Sequence, residues 1–414
     1  MRALKPSQRK SLAGLDDITA EGMNGFQFLQ KVLDDFKCEK EVSDNLEKAK
    51  RYLKMNYQGH CNIPNTIATH NTAYTLSYPK EEPCLGITDE VCSDCYNVFE
   101  VLTYLNNLAL KSENADLIYD VNMSVKSIIE YMKHQICDEQ QRQAKIYCFD
   151  QVSEEVTFWL RNYSQKILPR SYREGQRSYF GKKGMSMHID IFCTNQEENL
   201  LKQVYYTLVY RCDQSKIDTM NIASFVLLAF SQDFPRVHSV NGKSDNAGAY
   251  HGNQILENLF KLCQSNGLTL LRYDYNEPCR GKDQCDRESS GAKSVINSYV
   301  ESGNNLLTTT DVFNALHHGR GVSNAKVGIL EIDSSQAIMT GQDIVGVNSY
   351  HSVQFYEDKM KLFRYYGIGA GKTLMYSNVA KFQSSFTIKT EFVIASNHSR
   401  KSKKRTAPKH LVLP

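Results

Sequence analysis

The hydrophobic period changes near Ser153, and that change limits the architecture more than any other feature. Before it, apolar residues recur at helical spacing: Phe26, Leu29, Val32, Leu33 and Phe36, then a charged run through Leu46 and Tyr52. This predicts one or two amphipathic helices over residues 26–57. Leu102, Leu105 and Leu108, followed by Val125, Ile128, Ile129 and Met132, predict a helical pair from 98 to about 143. After Ser153 the runs are rich in β-branched and aromatic residues, and 156–160, 185–192 and 204–210 read as strands. Next come a helix over 221–231 and a short strand over 237–240 that leads into Gly242-Lys243-Ser244-Asp245. A helix over 252–264 ending near Gly267, a strand over 268–275 and a helix over 287–300 complete the pattern.

Three strands followed by strict alternation, β-β-β-α-β-α-β-α, is the order of a ribonuclease-H-like α/β domain. The expected fold class is therefore α/β, a ribonuclease-H-like domain preceded by a helical region containing a small cysteine-rich zinc module. The expected boundaries are 1–60 for the N-terminal helical region, 61–96 for the zinc module and 97–152 for the helical pair. The ribonuclease-H-like domain then takes 153–305, a C-terminal extension 306–390 and a basic tail 391–414.

A chain that is 41% apolar and 23% charged is neither collagenous, mucin-like nor wholly disordered. Its longest nearly unbroken apolar stretch, 222–230, is nine residues and includes Ser224, whereas a membrane helix needs about 20. No membrane span is expected. The first thirty residues carry Arg2, Lys5, Arg9 and Lys10 and then Asp16 and Asp17, without the apolar core of a secretory signal. A non-secreted chain is expected, and its twelve cysteines then read as thiols and metal ligands rather than as a disulfide framework.

Cys92-Ser93-Asp94-Cys95 forms a C-x-x-C pair, and Cys84, His70 and Cys61 lie upstream. Zinc takes four thiolate or imidazole ligands in a tetrahedron, so four of Cys61, His70, Cys84, Cys92 and Cys95 are expected to hold a structural zinc ion with no open position for a substrate. The competing reading is a set of thiols buried for packing. A redox pair is disfavoured because no strand precedes it.

Beyond Glu391 there is no acid, while Arg400, Lys401, Lys403, Lys404, Arg405 and Lys409 are cations. Without these six the formal net charge of +3 becomes negative. Such a block is expected to contact nucleic acid, through Arg400, Lys401, Lys403, Lys404 and Arg405, and to act as a nuclear address; a merely solvating tail is the alternative.

Metal-dependent phosphoryl transfer on nucleic acid needs carboxylates from separate elements converging on two divalent ions. In a ribonuclease-H-like domain they come from the first strand, the end of the fourth strand and the start of the last helix. Asp245 follows the fourth strand, and Asp286 and Glu288 open the last helix. Each also suits a structural role, Asp286 as a helix cap and Glu288 as a first-turn acid.

Several stretches together carry a resemblance. They are Phe158-Trp159-Leu160-Arg161-Asn162, Ile167-Leu168-Pro169 with Tyr172-Arg173-Glu174, and Phe180-Gly181-Lys182-Lys183-Gly184. Further along are Ser244-Asp245-Asn246-Ala247-Gly248 with Tyr250-His251, Gly281-Lys282 with Cys285-Asp286-Arg287, Arg364-Tyr365-Tyr366-Gly367 and Gly371-Lys372. With Tyr52-Leu53-Lys54 and the segment from Cys92 to Cys95, they resemble transposon-derived proteins with a DDE/D-type, ribonuclease-H-like domain, over roughly residues 50–375. The resemblance implies that position 162 is the first catalytic carboxylate position, followed by Asp245 and Asp286, with Mg²⁺ or Mn²⁺ as cofactor. In such proteins an Asp-Trp pair stands where this chain has Asn162-Tyr163. An amide lacks the charge that holds divalent ions. The family's tryptophans near Tyr179, Met187 and Phe363 are also replaced, and Asn71 stands where a cysteine often follows the histidine.

Asp190, Asp245 and Glu288 form a competing triad with acceptable spacing, but Asp190 on the first strand leaves one strand too few before the helix. Asn162 is preferred, with Asp190 on the adjacent strand. Gly367 to Thr373 lacks the spacing of a phosphate-binding loop, there is no G-x-S-x-G elbow, and His251 reads as structural. The expected function is a transposase-like nucleic-acid-binding protein, impaired in metal-dependent DNA strand cleavage or transfer, with DNA as partner and a homo-oligomer allowed. The alternative is a non-enzymatic DNA-binding or protein-interaction scaffold.

Overall fold

The computed structural model describes residues 16–62, 65–77, 86–173, 182–197, 199–210, 212–278 and 283–396. Cys84 and the tail cations from Arg400 onward lie outside the described residues, as do Glu174, Tyr179, Phe180, Gly181, Gly281 and Lys282.

Strand β1 (Val156–Tyr163) is buried without alternation over Thr157 to Arg161 because both faces of the sheet are covered. It pairs antiparallel with β2 (Ser186–Gln196), which pairs antiparallel with β3 (Asn199–Tyr210). On its other edge β1 pairs parallel with β4 (Ser239–Ser244), and β4 pairs parallel with β5 (Thr269–Tyr275). The inner order is β3-β2-β1-β4-β5. Segment 306–390, expected as a C-terminal extension, extends this same sheet at both edges. Strand β6 (Ala325–Ile332) joins β3, and β7 (Ile338–Thr340) belongs to a separate two-stranded sheet. Strands β8 (Ser352–Phe355), β9 (Lys359–Phe363) and β10 (Lys372–Met375) continue beyond β5. Strand β11 (Lys381–Gln383) pairs with β7, and β12 (Phe386–Ile394) closes the far edge against β6, giving ten strands in the main sheet.

The N-terminal helices are α1 (Asp17–Asp35), α2 (Lys40–Met55), the short α3 (Tyr57–His60) and α4 (Thr72–Leu76), then α5 (Ser93–Lys111) and α6 (Ala115–Asp150). Their apolar stripes meet in one core around Phe26, Leu29, Leu53, Leu102 and Ile128, into which Tyr365 and Ile368 also insert. Helices α7 (Lys216–Asp233) and α8 (Asn253–Ser265) pack Phe225, Phe230 and Leu256 against Trp159, Phe192 and Tyr205 on one face of the sheet. Helices α9 (Gln284–Glu301) and α10 (Thr309–Leu316) pack Ala292, Ile296 and Val312 against Phe158, Leu160 and Ile191 on the other. No helix among the described residues is long and apolar enough to cross a membrane.

Of the boundaries that differ from the sequence expectation, two matter for the site. Helix α9 begins at Gln284 rather than near Arg287, because Asp283 and Asp286 form a reciprocal capping box. Strand β4 runs through Gly242-Lys243-Ser244, since β1 and β5 hydrogen-bond it on both sides. A Cβ at Gly242 would lie 2.4 Å from the Tyr273 ring, so only glycine fits there.

The helical region is joined to the sheet through α6. The Gln141 amide donates to the carbonyls of Tyr275 (2.5 Å) and His351 (2.9 Å) and accepts from the Tyr366 N–H (3.0 Å). Lys243 Nζ donates to the Gln141 carbonyl at 3.1 Å.

Under the α7 and α8 face lies a buried charge network. The Asp190 carboxylate, fully buried, accepts from Trp159 Nε1 (2.8 Å), Arg161 Nε (3.1 Å) and His188 Nδ1 (2.7 Å). The Tyr250 hydroxyl donates to His188 Nε2 at 2.8 Å, so the imidazole is assigned as neutral, in agreement with burial lowering its pKa. Burial opposes the Asp190 charge, yet His188 and Arg161 hold its carboxyl below the usual range. Removing one partner of a buried pair strands the other charge, so Asp190→Ala should cost about 3–5 kcal/mol of stability in urea denaturation. A loss below about 1 kcal/mol would show that Asp190 does not hold Arg161 in place.

Candidate functional site

Strand alternation sends Arg161 toward α7 and Asn162 toward α9, because successive side chains point to opposite faces. At the ends of β1 and β4, Asn162, Lys243, Ser244 and Asp245 line a small recess with Asn276, Asp283 and Cys285. The parallel pairing of β1 with β4 aligns Arg161 with Ser244, which brings Asn162 and Asp245 to the same end of the sheet. The α9 capping box supplies the third side. Asp283 caps the helix, accepting from the Gln284 N–H, while Asp286 accepts from the Asp283 N–H at 3.1 Å. Asp245 accepts from the Ala247 N–H at 3.2 Å. Burial raises its pKa, and the Asp286 charge adds to the rise, so the two carboxylates share one electrostatic neighbourhood.

Two lysines border this centre. Lys145 from α6 pairs with Asp283, and buried Lys243 has its pKa lowered by desolvation. Asp283, which the sequence reading did not select, lines the recess; Asp286, which it did, sits one turn along on the exposed side. Among the described residues these carboxylates do not form a group with ligand atoms within 4.8 Å of one another. Asp190 lies opposite Arg161 on β2, on the sheet face away from Asn162. Glu288 is turned toward β3, where it pairs with Lys202. Neither lines the recess.

The compact donor cluster is elsewhere. Ligand atoms of His60, His70 and Cys92 lie within 4.8 Å of one another, the one such group of three or more found among the described residues. Cys95 Sγ is 3.3 Å from His70 Nε2. The short α3 carries His60 to the cluster, the 67–72 turn brings His70, and the first turn of α5 brings Cys95 beside its N-cap Cys92. The Tyr52 hydroxyl of α2 touches all four, at 3.0 Å from His70, 3.2 Å from His60, 3.5 Å from Cys95 and 3.7 Å from Cys92. Burial and the neighbouring His60 lower the His70 pKa, keeping the imidazole neutral as a metal ligand requires. Burial pushes Cys95 up to about 11. Cys61 is directed away, donating to the Tyr57 carbonyl at 3.2 Å, and burial pushes it up to about 12. His60 escaped the sequence reading because the neighbouring cysteine carried the stronger spacing signal.

His251 is buried, bonded to Asn246 and stacked on Tyr275 with ring centres 4.0 Å apart. Gly367, Gly369 and Gly371 all have positive φ, as a glycine turn ahead of β10 requires.

Comparison with protein-family models, with curated proteins and with solved structures finds no match to this chain.

The raised Asp245 pKa has a stability consequence. A carboxyl whose folded pKa is raised favours the folded state below its unfolded pKa, near 3.9, and loses that contribution as pH rises through the folded value. Asparagine keeps the acceptor for Ala247 without the charge. In metal-free buffer Asp245→Asn should therefore exceed the wild type in stability at pH 7, with the difference shrinking toward pH 4. Equal urea midpoints at pH 7 would show that the desolvation penalty is absent.

Proposed function

We propose that this chain is a transposase-like nucleic-acid-binding protein whose ribonuclease-H-like centre is impaired in DNA strand cleavage or transfer because Asn162 replaces its first carboxylate. The observation that supports this most is the recess itself. Asn162 at the end of β1, Asp245 at the end of β4 and the first turn of α9 meet there, on a sheet whose inner order is β3-β2-β1-β4-β5. These are the three positions a two-metal centre uses on such a fold, and one of them lacks charge. Asp245 and Asp286, with Asp283 beside them, would hold Mg²⁺ or Mn²⁺. The ion would activate the attacking oxygen and stabilise the leaving one. The protein's own contribution is positional: β1 and β4 present the donors from a rigid sheet, and Lys243 lies beside them. The basic tail, Arg400 to Arg405, would supply further DNA contact and a nuclear address.

A non-enzymatic scaffold is the second reading, favoured by Lys145 occupying Asp283 and by the separation of the carboxylates. Mn²⁺-dependent nicking of supercoiled DNA decides between them. The wild type should stay near background, Asn162→Asp should gain at least about tenfold, and Asn162→Asp combined with Asp245→Ala should return to background. No gain in Asn162→Asp removes the silenced-centre reading and leaves the scaffold.

We also propose that His60, His70, Cys92 and Cys95 hold a structural zinc ion. Two imidazoles and two thiols are a set zinc takes, and four protein ligands leave no open position. Elemental analysis should find one zinc per chain; His60→Ala and Cys92→Ala should lose it, and Cys61→Ala should keep it. Because zinc binding is folding free energy, on the order of 10 kcal/mol in small modules, a chelator should lower the melting temperature of the wild type. A zinc-free wild type, or loss of zinc in Cys61→Ala, would overturn this assignment.

A further inference from the structure

We infer that the groove beside the recess, lined by Lys166, Arg170, Lys182 and Lys293, binds the phosphodiester backbone of a DNA strand, an inference that rests on the nucleic-acid reading above. The loop after β1 crosses α9 and is fixed there at both ends. Ile167 forms a bridge with Met185, and Arg170 forms one with Leu306. Ile167 and Ile296 are buried at the floor, and the four cations stand around them. Among the described residues that line the groove there is no carboxylate.

Lys293 and Arg170 meet neutral acceptors in the contacts that shape the groove, and Lys182 donates to the Pro169 carbonyl at 2.7 Å. Lys293 Nζ donates to Gln165 Oε1 at 3.1 Å and Arg170 Nη2 to Asn297 Oδ1 at 2.5 Å, both neutral acceptors. Arg170 Nε is buried without a hydrogen-bond partner among the described residues. Elsewhere the same residue types are matched to acids, as in Lys145 with Asp283, Lys202 with Glu288 and Lys326 with Asp233. A concentration of positive charge with spare donors fits a polyanion, and the guanidinium fork of Arg170 suits phosphate oxygens.

Position along α9 decides what kind of anion. Lys293 follows Asp286 by seven residues, two turns on the same helix face, or about 10 Å at 1.5 Å per residue. That is roughly three nucleotides at 3.4 Å each. A strand held in the groove would therefore reach Asp286, the electrostatic neighbour of Asp245 at the rim of the recess. A small anion would gain nothing from that alignment, whereas a continuous backbone meets both.

The test uses the full chain and a fluorescent 20-base-pair duplex, without added Mg²⁺ or Mn²⁺ so that cleavage plays no part. Lys166→Gln/Lys293→Gln should bind about tenfold more weakly, and its log-affinity slope against log salt should fall in magnitude by about 1.8, from roughly 0.9 per phosphate. Lys166→Arg/Lys293→Arg, which keeps the charge, should bind like the wild type. Unchanged affinity and slope in the glutamine variant, with the wild type binding DNA, overturns the groove alone. A wild type that binds no DNA overturns the nucleic-acid reading together with the groove. Equal losses in the arginine and glutamine variants would show a structural role and also overturn it. Displacement of the duplex by poly-glutamate at matched charge, with the same dependence on Lys166 and Lys293, would reassign the groove to an acidic protein partner.

Discussion

Strand β1 is hydrogen-bonded on both edges and covered on both faces, and the rest of the molecule takes its positions from that constraint. A strand so enclosed has no tolerance for a register slip, because moving by one residue would exchange everything it presents to its two sides. Trp159 and Arg161 go to the α7 and α8 side, where Asp190 receives both. Leu160 and Asn162 go to the α9 side, one into the core and the other into the recess. Structure and candidate chemistry are thus divided by a single pleat. The acid buried beneath the sheet stabilises β1, while the acids above it surround a residue without charge.

The two candidate metal centres show opposite electrostatic designs. Around Tyr52, two imidazoles and two thiols crowd within hydrogen-bond reach, with no carboxylate among the groups its hydroxyl touches. Around Asn162, carboxylates are spread apart, Lys145 pairs with Asp283 and Lys243 lines the same recess. With an amide at position 162 the recess carries less negative charge, and a protein cation is enough to balance it.

The sequence was most legible where one physical signal dominated. The first three strands were visible as β-branched and aromatic runs, and the helices of the N-terminal region as apolar stripes. Strand β4 was truncated in the reading because Gly242, Lys243 and Ser244 have poor strand propensity, which pairing on both edges overrides. Strands β8 to β10 are four or five residues long, too short for periodicity to register. Asp245, His70, Cys92 and Cys95 are singled out by spacing or motif and Asn162 by the family resemblance; the structure places the first and last of these five at one recess and the other three in one cluster. His60, Asp283 and Lys243 are not singled out, since only the turn of α3, the cap of α9 and the extension of β4 bring them inward.

Gln141 makes the helical region and the sheet hard to separate. One side-chain amide completes the backbone hydrogen bonding of three distant segments, at Tyr275, His351 and Tyr366, and its own carbonyl holds Lys243 beside the recess. One turn earlier on the same helix, Asp138 accepts from Gln58, two residues before His60. A fragment cut just ahead of β1 would leave two carbonyls and an N–H at the ends of interior strands without their partner, and would expose Tyr365 and Ile368, which are buried among the helices. The chain is therefore a poor candidate for dissection: a trimmed sheet would be a different object from the sheet inside the whole protein, with its lysine released and the ends of three segments left unsatisfied.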